Sequence, residues 1–116
     1  MQYNLEERLV KFSTEMVVFL KTIKQDSINS PIINQLVRSC TSVGANYCEA
    51  NQASSRNDFK NKIFICKKEI NETKYWLQVL LSTDNKIKEQ IDKFMKESQE
   101  LLLIFSKIIS TLNSKQ

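Results

Sequence analysis

One glycine, Gly44, and one proline, Pro31, are all that 116 residues contain. Strands joined by tight turns consume such residues at every reversal, so a chain this poor in them has to be built from long helices with few connections. The length suits one domain with one core. A hydrophobic share of 41% against 26% charged residues is that of a folded globular chain and argues against intrinsic disorder.

Apolar residues recur at alternating steps of three and four in four segments, the signature of a helix with one buried stripe. The first stripe is Leu5, Leu9, Phe12, Met16, Phe19 and Ile23, and the second is Ile33, Leu36, Cys40, Val43, Tyr47 and Ala50. The third runs Phe59, Ile63, Cys66, Ile70, Thr73, Leu77, Leu80, and the fourth Ile87, Ile91, Phe94, Ser98, Leu101, Phe105, Ile108, Leu112. Asn29 or Ser30 is expected to cap the second helix, with Pro31 in its first turn. Ser55 and Asp58 form an S-x-x-D start for the third, and Ser82–Asn85 make the next turn. Fraying is expected over the last four residues. These patterns predict an all-α fold, an antiparallel up-down-up-down four-helix bundle over residues 1–116, with helices near 4–25, 31–51, 55–82 and 84–113.

Several chemistries are excluded by missing parts. There is no histidine, no P-loop, no glycine-rich phosphate loop and no G-x-S-x-G, so an enzyme is not expected and no catalytic residue is assigned. The cysteines Cys40, Cys48 and Cys66 lack paired spacing and read as reduced, packed thiols; without histidine no metal site and no cofactor is expected. The N-terminal MQYNLEERLVKF is acidic early and is not read as a signal peptide, and no apolar run is long enough to span a membrane. A cytoplasmic location is the expectation.

The second helix departs from the pattern of the others. Its back face carries Thr41, Ser42, Ala45 and Cys48 in place of lysines, with Arg38 toward one end, Glu49 toward the other, and Gly44 on the flank. A mid-helix glycine costs about 1 kcal/mol relative to alanine, so an offsetting close approach is expected. Either the helix sits in a shallow part of the fold, or it lies between its own bundle and a neighbouring identical subunit. Leu102, Leu103, Ile104 and Ile109, beside the fourth stripe, offer a second contact between subunits.

Counting outward from a hairpin centred on residue 52 or 53 puts Arg38 level with residues 67 to 69 and Glu49 level with 56. Glu69 and Glu72, three apart, share a helix face that Arg38 can reach. An ion pair fixing register or a subunit seam accounts for this trio. A di-iron site does not, since those bundles need Glu-x-x-His pairs. The net charge of +4 is mild. It is concentrated in the third helix, where Arg56, Lys60, Lys62, Lys67, Lys68 and Lys74 face Asp58, Glu69 and Glu72. Such a surface is either a solvated helix face or, repeated around an oligomer, a non-specific site for RNA or DNA. No motif that reads base sequence is present.

Residues 38–80 resemble the small four-helix proteins called intervening-sequence proteins, named for reading frames inside insertions in bacterial large-subunit ribosomal RNA genes. Relatives include Avd, the accessory protein of diversity-generating retroelements. The resemblance rests on R-S-x-x-S-x-G-A-N-x-x-E-A (Arg38, Ser39, Ser42, Gly44, Ala45, Asn46, Glu49, Ala50) and S-x-x-D-F (Ser55, Asp58, Phe59). K-E-x-x-E-T-x-Y-W-L follows, with Lys68, Glu69, Glu72, Thr73, Tyr75, Trp76 and Leu77. It implies an up-down bundle assembled as a ring-shaped homopentamer, in which these motif residues are structural. In Avd-like relatives it further implies a basic surface for nucleic acid and a reverse transcriptase partner.

Overall fold

The computed structural model describes residues 4–114. Among them are four α-helices and no strand: α1 (Leu5–Lys21), α2 (Asn29–Ala50), α3 (Arg56–Leu81) and α4 (Lys88–Ser114), the last entered through a 3-10 turn, Asn85–Ile87. The fraying expected at the C-terminus falls partly on positions 115 and 116, outside the described residues. None of the described helices is long and apolar enough to cross a membrane.

Local chemistry sets the helix ends. Asn4 Oδ1 accepts from the Glu7 N–H at 3.2 Å, and Ser55 Oγ accepts from the Asp58 N–H at 3.0 Å, so the S-x-x-D start is realised. α1 stops at Lys21, four residues before its expected end. The Thr22 N–H and hydroxyl both turn back to the Phe19 carbonyl, at 3.0 and 2.6 Å, which tightens the last turn. The cap expected at Asn29 or Ser30 lies instead at Asp26. Its Oδ1 accepts from the Ile28 and Asn29 N–H groups, both at 2.8 Å, and these donors hold its carboxyl below the ordinary value. Asn29 is buried and answers in kind, accepting from the Asp26 N–H at 2.8 Å and donating to the Lys24 carbonyl at 3.0 Å.

The four expected stripes form the core. Leu9, Phe12 and Met16 of α1 meet Leu36, Cys40 and Val43 of α2, with Ile63, Cys66, Ile70 and Leu77 of α3 and Leu101 and Phe105 of α4. In α4 the buried position is Ile109, with Ile108 only half covered. A straight helix of 3.6 residues per turn drifts away from a 3.5-residue pattern over this many turns. Leu103, by contrast, faces outward.

Packing is uneven. α2 and α3 share the most extensive interface, α3–α4 and α1–α2 follow, and α1 barely touches α4. Between α1 and α4 the rings of Phe12 and Phe19 meet Phe94, and Arg8 spans the gap to Glu97 at 2.6 Å and Glu100 at 3.0 Å. The remaining gap is an open groove of about 520 Å³ lined by Phe12, Val18, Phe19 and Phe94. The chain measures 48 × 27 × 20 Å, and its radius of gyration of 15.1 Å exceeds the roughly 13 Å of a globular domain this long.

Gly44 faces α1. A Cβ built there meets Leu9 Cβ at 3.6 Å and Ser13 Oγ at 3.9 Å, which is ordinary contact. The close approach beside this glycine is therefore between α1 and α2 of one chain, where Ser13 donates to the Cys40 carbonyl at 3.3 Å. The Ser98 hydroxyl is fully buried and has no hydrogen-bond partner among the described residues. Gly44→Ala and Ser98→Ala are each expected to raise unfolding free energy by about 1 kcal/mol, the first through helix propensity and the second by deleting an unsatisfied group. Guanidinium denaturation measures both, and a lower midpoint for either variant contradicts the packing described.

All three cysteines are free. Burial pushes the Cys40 and Cys66 thiols up to about 12, while half-buried Cys48 donates to Glu6 Oε1 at 3.1 Å, which also raises its pKa. Titration with a thiol reagent at pH 8 should modify Cys48 alone in the folded chain, and all three after unfolding. Fast modification of two or more native thiols would contradict this burial.

Candidate functional site

The polar seam between α2 and α3 is built around Glu69, whose side chain is 9% exposed. A carboxylate that far from water has to be met by donors. Arg38 Nη1 lies 3.1 Å from Oε2 and 3.3 Å from Oε1, and the Ser42 hydroxyl donates to Oε2 at 3.0 Å. Asn46 Nδ2 reaches the Ser42 carbonyl at 2.9 Å and its hydroxyl at 3.0 Å, so the donor is itself held. One turn along, Thr73 Oγ1 lies 2.9 Å from both Ser39 Oγ and the Glu69 carbonyl.

Arg38 extends this network toward solvent. Its Nη2 bonds Glu72 Oε1, and its Nε donates to Gln35 Oε1 at 2.8 Å. Glu72 also accepts from the Trp76 indole N–H at 3.3 Å. Burial works to raise the Glu72 carboxyl, but the Trp76 indole and the Arg38 guanidinium outweigh it and hold the pKa below its ordinary value. Burial likewise works against the charge on Arg38, and the two carboxylates more than restore it. Trp76 stands edge-on to Tyr75, ring centroids 4.9 Å apart.

Arg38 therefore reaches both carboxylates that the spacing offered it. Glu49 does not sit level with residue 56; it pairs with Lys62 at 2.9 Å. As residue numbers rise along α2 from Ser42 through Val43 to Glu49, their partners on α3 fall from Glu69 through Cys66 to Lys62. Midway between these partners lies residue 55, so the connection after Ala50 carries the chain onward before α3 starts back, and a count centred on 52 or 53 falls short.

The acidic residues of α3 all lie on the side turned toward α2 or next to it. Taking Arg56 as reference at about 100° per residue, Lys74 returns to the same line, and Lys60 and Lys67 fall within about 40° of it. Lys68 stands about 120° round. Asp58, Glu72 and Glu69 lie between about 160° and 220°, with Lys62 beyond them beside Glu49. Lys62 is thereby separated from the other five cations, and its pKa is raised by that carboxylate. Arg56 donates to the Leu112 carbonyl and Lys74 to Gln99 Oε1 at 2.5 Å, partners that leave their charge uncompensated. No ion pair to Lys60, Lys67 or Lys68 occurs among the described residues.

Spacing did not single out the residues that share this outward face. Lys60, Phe64, Lys68, Asn71 and Tyr75 follow one another at steps of four, four, three and four, a second stripe with the same period as the buried one. Phe64 is 45% exposed and Tyr75 57%. The alternation is legible in the sequence, but the stronger apolar stripe on the opposite face sets which side of the helix turns inward. On α2, Thr41 and Ala45 are exposed, and the Thr41 hydroxyl turns back to the Val37 carbonyl at 2.6 Å, which leaves an outer face small and nearly non-polar. Ser42 and Cys48, expected on that face, turn instead toward α3 and α1. Among the described residues no cluster of three or more Cys, Asp or Glu could hold a metal ion.

A four-helix domain with a buried ionic seam and one cationic helix face defines the class. The chain belongs to the 23S rRNA-intervening sequence protein family, which it matches over residues 3–107. It is also similar to a crystal structure of a protein of unknown function from the S23 ribosomal protein family of Bacteroides thetaiotaomicron VPI-5482. Identity is 36%, with 91% of this chain and 98% of that one covered and a TM-score of 0.83. No curated protein matches the chain.

Arg38→Ala should destabilise by about 2 kcal/mol, between the values for exposed and buried pairs, because it strands Glu69. Glu72→Gln should cost less than about 1 kcal/mol. The lowered Glu72 pKa contributes stability that is complete above about pH 5 and lost as pH falls through the folded value. Urea melts between pH 6 and 3 should show a fall that Glu72→Gln partly flattens. Parallel pH profiles in the two proteins contradict the assignment.

Proposed function

We propose that this chain is a non-enzymatic, homo-oligomeric bundle that binds RNA or DNA non-specifically through α3. The observation that carries the reading is the segregation of charge on that helix. Among the described residues the five cations Arg56, Lys60, Lys67, Lys68 and Lys74 have no carboxylate partner, while Glu69 and Glu72 pair with Arg38 of α2. Each phosphate neutralised by such a row releases counterions, so affinity accumulates with the number of contacts and with the number of subunits. No base-reading element is required for this.

In this proposal the helices form an antiparallel up-down bundle, supported by the opposed running of partners on α2 and α3. Copies associate into a ring, five subunits following the family resemblance. The exposed Thr41–Ala45 face of α2 and the elongated shape of the single chain favour such association. A second reading, a scaffold or accessory factor for another protein such as a reverse transcriptase, is favoured by the apolar groove between α1 and α4. A partner that stays bound through nuclease treatment and high salt would select it.

Affinity for a labelled nucleic acid should fall steeply with salt, and charge reversal at Lys60, Lys67 and Lys68 should abolish it. Salt-insensitive binding, or none at low salt, sinks the proposal. Light scattering should report an oligomer for the parent and smaller, folded species for Ala45→Arg. A well-folded parent monomer at micromolar concentration overturns the ring.

A further inference from the structure

The outward stripe of α3 alternates charge with rings: Lys60, then Phe64, then Lys68, then Asn71, then Tyr75. It extends about 22 Å along the helix, with Lys67 and Lys74 on its flank. Two features distinguish it from a solvated surface. No carboxylate occurs on it. Its two aromatic rings are open to solvent, at 45% and 57% exposure. Phe64 has a lysine one turn before it and one turn after it.

Tyr75 is also held in position. Its ring meets Trp76, whose indole N–H is fixed by Glu72, which is fixed in turn by Arg38. The seam between α2 and α3 therefore presets the orientation of an exposed ring on the far side of α3. A ring ordered before a ligand arrives loses little rotamer freedom when the ligand stacks on it.

We infer that the nucleic acid taken by this face is an unpaired strand, its phosphates set along Lys60, Lys67, Lys68 and Lys74 and its bases stacked on Phe64 and Tyr75. The inference rests on the reading of α3 as a nucleic-acid surface and narrows it to one class of ligand. In a duplex the faces of the bases are covered by their neighbours, so exposed rings gain nothing from it and lysines alone contribute. An unpaired strand offers a π-face at every base, and cationic grooves interleaved with aromatics bind such strands with little sequence preference.

The test uses a short fluorescein-labelled strand without self-complementarity and the same strand annealed to its complement, titrated at low salt by anisotropy. The single strand should bind at least about tenfold more tightly than the duplex. Phe64→Ala and Tyr75→Ala should each weaken the single strand by about fivefold to a hundredfold, the range of base–aromatic stacking, and leave the duplex unchanged. Trp76, the one tryptophan, lies against Tyr75 and should change its emission when the single strand binds and not when the duplex does. Equal affinity for both forms, with silent aromatic variants, overturns the stacking and leaves the cationic reading standing. Absence of binding to either form overturns both. If the aromatic variants lower the oligomer mass in light scattering, the rings cover a second copy of the chain, and the inference falls.

Discussion

Glu69 sits where a carboxylate is costly, between the two helices that share the largest interface. Leaving it unpaired there would cost several kcal/mol, so α2 has to bring Arg38 and Ser42 opposite it. That requirement admits one register. A shift of one residue along α2 rotates Arg38 by about 100°, away from α3. Apolar stripes alone specify which faces meet, yet they tolerate sliding by a heptad. The ionic seam removes that freedom and with it sets the position of everything carried on α3.

The seam also explains the distribution of charge. Because Glu69 and Glu72 are committed to Arg38 of α2, the opposite surface of α3 is left to its cations. The net charge of the chain is modest, and the sign that matters is local. Counting residues gives the excess; only the helical phase shows that the opposing acids are out of the way. Lys62 illustrates the limit of the count, since it adds to the excess yet lies beside Glu49.

Much of the fold is legible because it is periodic. Spacing alone places four helices, their buried faces and the Ser55 cap, and Arg38 with its two carboxylates follows from a hairpin count. What escapes depends on contacts between elements or on competition within one. The cap of α2 moves to Asp26 because Asn29 is drawn into the core, which no local pattern announces. Gly44 reads as a site for an outside neighbour, and the nearest side chains turn out to belong to α1. The stripe from Lys60 to Tyr75 has the right period but weak hydrophobicity, so it is overshadowed by the core stripe on the opposite face.

The scarcity of contact between α1 and α4 has a kinetic side. Each helix packs mainly on the one that precedes or follows it in sequence, and little depends on bringing the two ends of the chain together. Loop-closure entropy is then confined to three short connections, so the barrier to folding is low and refolding is expected on the sub-second scale of helical proteins with local contacts. The domain can be assembled helix by helix in the order of synthesis. The docking of α4 on α3 then closes the four-helix unit without threading or rearranging what is already packed.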